Sequence, residues 1–253
     1  QASIFSKGAV LTDKIYNAAN VHNVSQLAQN DIAQAPAPKS SHTPSHPPTP
    51  KEKPPQPNSQ LRFKKAEVVL MGISTGGPKA LHSVIADFPR TLRTPVLIIQ
   101  HMPPNFTAAM ASRLNQFCVL NVLEAEHGMA LEPNSVYIAP GGTQCEVERK
   151  NGREVFKILA DGGNTIYKPS VEVAAKSLHN IYGGNVLAVM MTGMGHDGIE
   201  GFKELKRSGA YVIAQNQETC VVYGMPKAVV DAGLANEVLP LAEIPGTLER
   251  LLS

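Results

Sequence analysis

The chain has 253 residues, 43% of them hydrophobic and 17% charged, with a formal net charge of +2. This is the balance of an ordinary globular protein, and without a basic block it excludes a broad nucleic-acid footprint. No apolar run approaches the roughly 20 residues that span a bilayer, so membrane insertion is not expected. No signal peptide is visible, and Gln1 in place of Met reads as a start within a longer protein. Cys118, Cys145 and Cys220 are scattered without CxxC spacing; reduced cytosolic thiols are the economical reading, and a metal site is not expected.

Residues 1–34 carry little pattern beyond a short amphipathic stretch, Ala9–Tyr16. Nine of the twenty prolines then fall between Pro36 and Pro57. Such a segment cannot bury a core, so residues 1–60 read as an extended, Pro-rich flexible linker. The folded domain is expected over 61–253. Val68–Met71 is an apolar run of buried-strand type. It enters the turn Gly72-Ile73-Ser74-Thr75-Gly76-Gly77, and Pro78 opens a helix with Leu81, Val84, Ile85 and Phe88 on one face. Thr94–Gln100 reads as a second strand and Phe106–Phe117 as a helix. Ser135–Ala139 reads as a strand, and two runs, Cys145–Lys150 and Glu154–Leu159, form a hairpin around Asn151-Gly152. Ser170–Ile181 is helical, with Ser170 as its N-cap. Asn185–Thr192 is a third core strand. Gly198–Ser208 (helix), Ala210–Ala214 (strand), Pro226–Ala232 (helix) and Leu241–Leu252 (helix) complete the chain. The alternation implies an α/β fold: a mostly parallel sheet flanked by helices on both faces, a Rossmann-like three-layer arrangement, with a small hairpin insertion.

Sites in such sheets form beyond the carboxyl ends of the strands. Ser74 follows the first core strand, His101 the second, and Asp197 the third. A hydroxyl, an imidazole and a carboxylate on one sheet edge are the set needed for nucleophilic acyl chemistry. Gly72-x-Ser74-x-Gly76 also fits the nucleophile-elbow pattern. The Met194 N–H, at a Gly-rich strand exit, is the candidate oxyanion donor, worth ~3 kcal/mol of barrier if well aimed, and Thr75 is a second candidate. Each residue has a plainer reading: the glycine turn as a phosphate cradle, His101 as a structural polar group, Asp197 as a helix cap. His82 and His179 fall on helix surfaces, His127 in a turn, and His196 beside Asp197 points away from it. A generic α/β-hydrolase is the second reading, but its order is Ser, acid, His, whereas here His101 precedes Asp197. A nucleotide or phosphate binder is the third; the turn lacks both G-x-G-x-x-G spacing and the Gly-Lys-Ser/Thr of a P-loop.

With these residues in view, the sequence resembles the catalytic domain of the chemotaxis receptor-glutamate methylesterases (CheB type). The stretches that carry the resemblance are GISTGGPKAL (72–81), IIQHMPPNFT (98–107), VYIAPGG (136–142), MTGMGHDGIEGF (191–202), IAQNQETCVVYGMPKAV (213–229) and VLPLAEI (238–244). The resemblance implies hydrolysis of γ-glutamyl methyl esters on the signalling helices of methyl-accepting receptors, with release of methanol; some members also deamidate receptor glutamines. It assigns Ser74 as nucleophile, His101 as base and Asp197 as orienting acid, with Thr75 and Met194 near the oxyanion. It implies no cofactor, a cytoplasmic location, and a receiver domain in cis, which is not expected within these 253 residues. Three departures from the common pattern stand out: Gln144 where His is frequent, Lys168-Pro169-Ser170-Val171-Glu172 where Arg-Pro-Ser-Val-Asp is frequent, and His127-Gly128 where Asp-Gly is usual. None is expected to touch the triad.

Overall fold

The computed structural model describes residues 65–90, 92–160 and 165–253. The expected linker over 1–60 and the stretch Ala9–Tyr16 lie outside the described residues.

Seven strands form one sheet: β1 (Val68–Ile73), β2 (Val96–Gln100), β3 (Asn121–Glu124), β4 (Ser135–Ile138), β7 (Val186–Met190), β8 (Tyr211–Gln215) and β9 (Glu237–Leu239). Their order is β3-β4-β2-β1-β7-β8-β9, and every pairing is parallel. A separate antiparallel hairpin, β5 (Gln144–Lys150) and β6 (Arg153–Leu159), is the expected insertion. Its turn is Asn151-Gly152, with φ of 52° and 77°, the left-handed pair that a two-residue hairpin needs.

The helices are α1 (Gly77–Ala86), α2 (Phe106–Asn115), α3 (Val171–Tyr182), α4 (Ile199–Arg207), α5 (Met225–Asp231) and α6 (Ile244–Leu252). They cover both faces because side chains alternate along each strand. On β1, Val69, Met71 and Ile73 join a core with α1, α2 and α6. Val68 and Leu70 point the other way, into a core with α3, α4, α5 and the hairpin. On β2, Val96 and Ile98 face the first core and Leu97 and Ile99 the second. All six β1 residues are buried, which is why the run reads as continuously apolar rather than alternating.

The sequence-based elements stand, with two additions. The short strands β3 and β9 are absent from the sequence reading. Only Val122 is buried in β3, and no residue of β9 is fully buried. Edge strands with so little burial leave no hydrophobic pattern to detect. At the chain end, a 3₁₀ turn at Leu241–Glu243 precedes α6, so the expected single helix is split.

β1 lies at the middle of the sheet. The chain builds outward from it on one side through β2 and β4, then crosses to β7 and builds outward on the other. Such a switch point opens a crevice at the carboxyl ends of the strands, and Ser74 is the first residue beyond β1.

Candidate active site

The residues that close β1, β2 and β7 are brought together by parallel register. Ile73 pairs with Gln100, and Gly72 with Met190. The ladder runs one step past the strands: His101 N–H donates to Ile73 O at 3.0 Å, and Ser74 N–H donates to Thr192 O at 3.0 Å. Ser74 and His101 therefore leave neighbouring strands side by side. Gln100, 1% exposed, ties them further: its Nε2 donates to both Ser74 O and His101 O, at 3.0 Å each.

Beyond Ser74 the chain makes a tight turn. Gly77 N–H donates to Ser74 O at 2.9 Å, and Gly76 takes a left-handed φ of 84° before α1 begins. A side chain at Gly76 would also strike Val221, with a Cβ placed 2.6 Å from it. Thr192 holds this turn to the 221–222 segment. Its hydroxyl donates to Thr75 O (2.9 Å) and accepts from Val221 N (3.1 Å) and Val222 N (3.0 Å). Buried Gln215 in turn accepts from Thr192 N at 2.8 Å.

His101 and Asp197 meet directly. The imidazole Nε2 lies 2.8 Å from Asp197 Oδ2, and the two side chains are only 10% and 5% exposed. The carboxylate is held from other directions as well. Oδ2 accepts from Val171 N (2.6 Å), and Oδ1 accepts from Ser170 Oγ (2.8 Å) and Glu172 N (3.3 Å). These donors are the N-cap and first turn of α3, where backbone N–H groups and the helix dipole favour negative charge. Burial raises the Asp197 pKa, but the hydrogen bonds from His101, Ser170 and Val171 outweigh it, and the carboxyl titrates below its ordinary range. It is therefore an acceptor at neutral pH, so the hydrogen between the two residues sits on Nε2. The other ring nitrogen, Nδ1, is buried and has no hydrogen-bond partner.

The imidazole plane is fixed by Tyr167, whose ring stacks on it at a centroid distance of 4.4 Å and an angle of 10°. Tyr167 and Ser170 are positioned by Gln144, the first residue of β5, which is 1% exposed. Gln144 Nε2 donates to Thr165 Oγ1 and to Tyr167 O, at 2.7 Å each, and Oε1 accepts from Ser170 N at 2.9 Å. Of the departures from the family pattern, Gln144 orients the 168–172 segment without touching the candidate triad, and within that segment Ser170 and Val171 match the common pattern while Glu172 reaches Asp197 only through its backbone N–H. The 168–172 segment supplies three donors to Asp197, and Gln144 orients that segment. His127 is remote from it, and its Nδ1 accepts from Ile158 N in the hairpin.

Ser170 is the N-cap the sequence predicts, accepting from Val173 N. Its second role, donating to Asp197, leaves no local signal, because the two residues are 27 positions apart. Gln100, Gln144, Tyr167 and Thr192 were missed for the same reason, although a glutamine at the end of a buried apolar strand, as at Gln100, signals a polar network.

Met194 and Thr75 lie on the same rim. The Met194 side chain is 72% exposed, and neither its N–H nor that of Thr75 is among the backbone groups with an internal partner. The loop carrying Met194 is anchored at Gly193, whose N–H donates to Val222 O at 3.0 Å and whose carbonyl accepts from Gly224 N and Met225 N at 3.0 and 2.8 Å. Gly193 packs so closely on the turn that carries Ser74 that an added Cβ would lie 2.8 Å from Ser74 Cβ. His196 is exposed and does not compete with His101 for Asp197. No group of His, Cys, Asp and Glu among the described residues has the makeup of a metal site, and no described helix is long and apolar enough to cross a membrane.

Residues 69–248 match the family model described as CheB methylesterase. The protein-glutamate methylesterase/protein-glutamine glutaminase of Desulfitobacterium hafniense (strain Y51) is 49% identical over 179 residues, covering 70% of this chain and 46% of that protein. The protein of the same name from Desulfotalea psychrophila is 47% identical over 186 residues, covering 73% of this chain and 51% of that one. This chain thus spans about half the length of the curated relatives it matches. Among solved structures, the Thermotoga maritima CheB methylesterase catalytic domain is 39% identical with a TM-score of 0.71, covering 74% of this chain and 100% of that one.

Proposed function

Because the chain belongs to the CheB methylesterase family, we propose that it hydrolyses γ-glutamyl methyl esters on methyl-accepting chemotaxis receptors, releasing methanol and a free glutamate. By the same acyl chemistry it deamidates receptor glutamines, as the names of its relatives state for them. It works in the cytoplasm, where the receptors' signalling helices lie, as an adaptation enzyme, and it takes no cofactor.

The observation that carries this reading is the state of the His101 ring. One nitrogen is committed to a buried carboxylate, and the other is buried without a hydrogen-bond partner, on a residue that leaves the strand next to the one Ser74 follows. In the proposed mechanism Nδ1 removes the proton of the Ser74 hydroxyl as Oγ attacks the ester carbonyl. Asp197 stabilises the imidazolium through Nε2–H, reversing the more familiar use of the two nitrogens while keeping the same logic. The oxyanion is received by N–H groups at Met194 and Thr75. His101 then returns the proton to the departing methanol, and a water activated by the same nitrogen releases glutamate from Ser74. An amide follows the same steps with ammonia as the leaving group.

The stacked Tyr167 restricts the imidazole to in-plane movement, which suits a base that must transfer one proton twice. The generic α/β-hydrolase reading is disfavoured because the histidine bound to Asp197 precedes it in the chain. The test is methanol release from methyl-labelled receptor. Ser74→Ala should abolish it with the fold intact; release at the wild-type rate would refute the assignment.

A further inference from the structure

Sulfur is the most easily oxidised side-chain atom in the chain, and its placement is uneven. All eight methionines lie among the described residues. Met71, Met190, Met191 and Met225 are completely buried, and Met110 is buried in the core beneath α1 and α2. Met102 and Met129 are partly buried against the two cores. Met194 alone stands clear of the protein, at 72% exposure. The cysteines do not compete with it. Cys145 is buried, and Cys118 and Cys220 are half-buried. Burial raises the pKa of all three thiols, that of Cys220 to about 11, and a thiol that stays protonated reacts poorly with an oxidant. A thioether has no proton to lose, so its access to solvent decides its reactivity.

The exposed sulfur sits on a backbone that has no room to retreat. A Cβ at Gly224 would lie 2.7 Å from Gly193 O, 3.0 Å from Gly195 N and 3.2 Å from Met194 Cα. On the other side, a Cβ at Gly195 would lie 2.7 Å from the Tyr167 hydroxyl, and the Tyr167 ring stacks on His101. A change in the Met194 side chain therefore cannot be absorbed by a shift of its loop. Its backbone N–H has no internal partner. The thioether is a weak acceptor and leaves that N–H open, whereas a sulfoxide is polar and carries an oxygen that accepts strongly.

We propose that Met194 is a modification site, oxidised by hydroperoxides to the sulfoxide, and that the new oxygen folds back onto the Met194 N–H and lowers turnover by competing with the oxyanion. This rests on the oxyanion role proposed above. In the modification a sulfur lone pair attacks one peroxide oxygen. An S–O bond forms and the O–O bond breaks. Sulfur loses two electrons, and hydrogen peroxide leaves as water after its proton passes to the departing oxygen. The oxyanion can still displace the sulfoxide oxygen, so the effect is smaller than outright removal of the donor.

The test exposes the full chain to hydrogen peroxide, stops the reaction with catalase, and locates added oxygen by peptide mass. Turnover is followed on p-nitrophenyl acetate and on methyl-labelled receptor. As Met194 takes up one oxygen, kcat should fall about tenfold on both esters. Methionine sulfoxide reductases should restore it, and dithiothreitol alone should not. Met194→Leu, treated identically, should keep the rate it shows before treatment. Undiminished turnover with Met194 oxidised, an equal loss in Met194→Leu, or recovery with dithiothreitol alone would overturn the proposal and leave the hydrolase reading standing. So would a Met194 that stays unmodified while other residues take up oxygen. Untreated wild-type protein inactive on both esters would overturn the hydrolase reading, and the role of Met194 with it.

Discussion

Ser170→Ala tests how Asp197, the acid of the proposed triad, is held. The hydroxyl donates to the buried carboxylate of Asp197 at 2.8 Å, a hydrogen bond to a charged group worth about 1.5–3 kcal/mol. It also caps α3 by accepting from Val173 N, worth about 1 kcal/mol. Losing both should cost about 2.5–4 kcal/mol at neutral pH. The cost should depend on pH. Asp197 titrates below its ordinary range in the folded protein, so its contribution to stability is fully present above the unfolded carboxylate pKa of about 4 and is lost as pH falls through the folded value. Protonation turns the Ser170 bond into a neutral one and leaves the cap unchanged. Urea unfolding of wild type and variant, compared at about pH 7 and at the lowest pH at which both remain folded, should therefore show the difference shrinking in acid. Methanol release should fall about tenfold and no further, because His101 Nε2 and Val171 N still hold the carboxylate. A stability difference that is absent at neutral pH, or equal at both pH values, would refute this account of how Asp197 is kept ionised.

Removing the imidazole with His101→Ala should lower kcat by about 10²–10⁴-fold, whereas His196→Ala, at an exposed position, should stay within about twofold of wild type on methyl-labelled receptor. Gly193→Ala places a methyl 2.5 Å from Met225 Sδ and 2.8 Å from Ser74 Cβ; displacing Ser74, the proposed nucleophile, should cost about 10²-fold in kcat, with far-UV circular dichroism unchanged. Met194→Ala removes a side chain that is 72% exposed and keeps the N–H, so activity on a small ester should stay within about twofold. Met194→Pro removes the N–H and should cost about 10²–10³-fold in kcat, and equal activity of the two Met194 variants would eliminate this N–H as the oxyanion donor.

The part of the fold that the sequence makes legible is the part that buries apolar side chains. β1, β2 and β7 announce themselves as unbroken hydrophobic runs because helices cover both faces, and the hairpin is marked by an Asn-Gly pair whose conformation few other residues adopt. The edge strands β3 and β9 went unread because hydrogen bonding, not burial, defines them. The candidate site divides in the same way. Ser74, His101 and Asp197 are visible as chemically capable residues at strand exits. Their support is not visible, because Gln144, Tyr167 and Ser170 reach the site through contacts made only after the hairpin and α3 have packed. The choice of Nε2 for the carboxylate is likewise a matter of three-dimensional approach, with no trace in residue order.

Two separate stretches of polypeptide meet along the line where β1 pairs with β7. One runs from β1 through the hairpin and carries the alcohol and the imidazole. The other begins at β7 and brings the acid and the N–H of Met194. In the proposed mechanism, turnover demands that this seam be shut, since neither stretch holds the proposed set by itself. An opening confined to the β1–β7 pairing would silence the enzyme while most of its helices and strands persisted, so enzymatic output reads the integrity of the middle of the sheet more sensitively than any spectroscopic average over the whole chain.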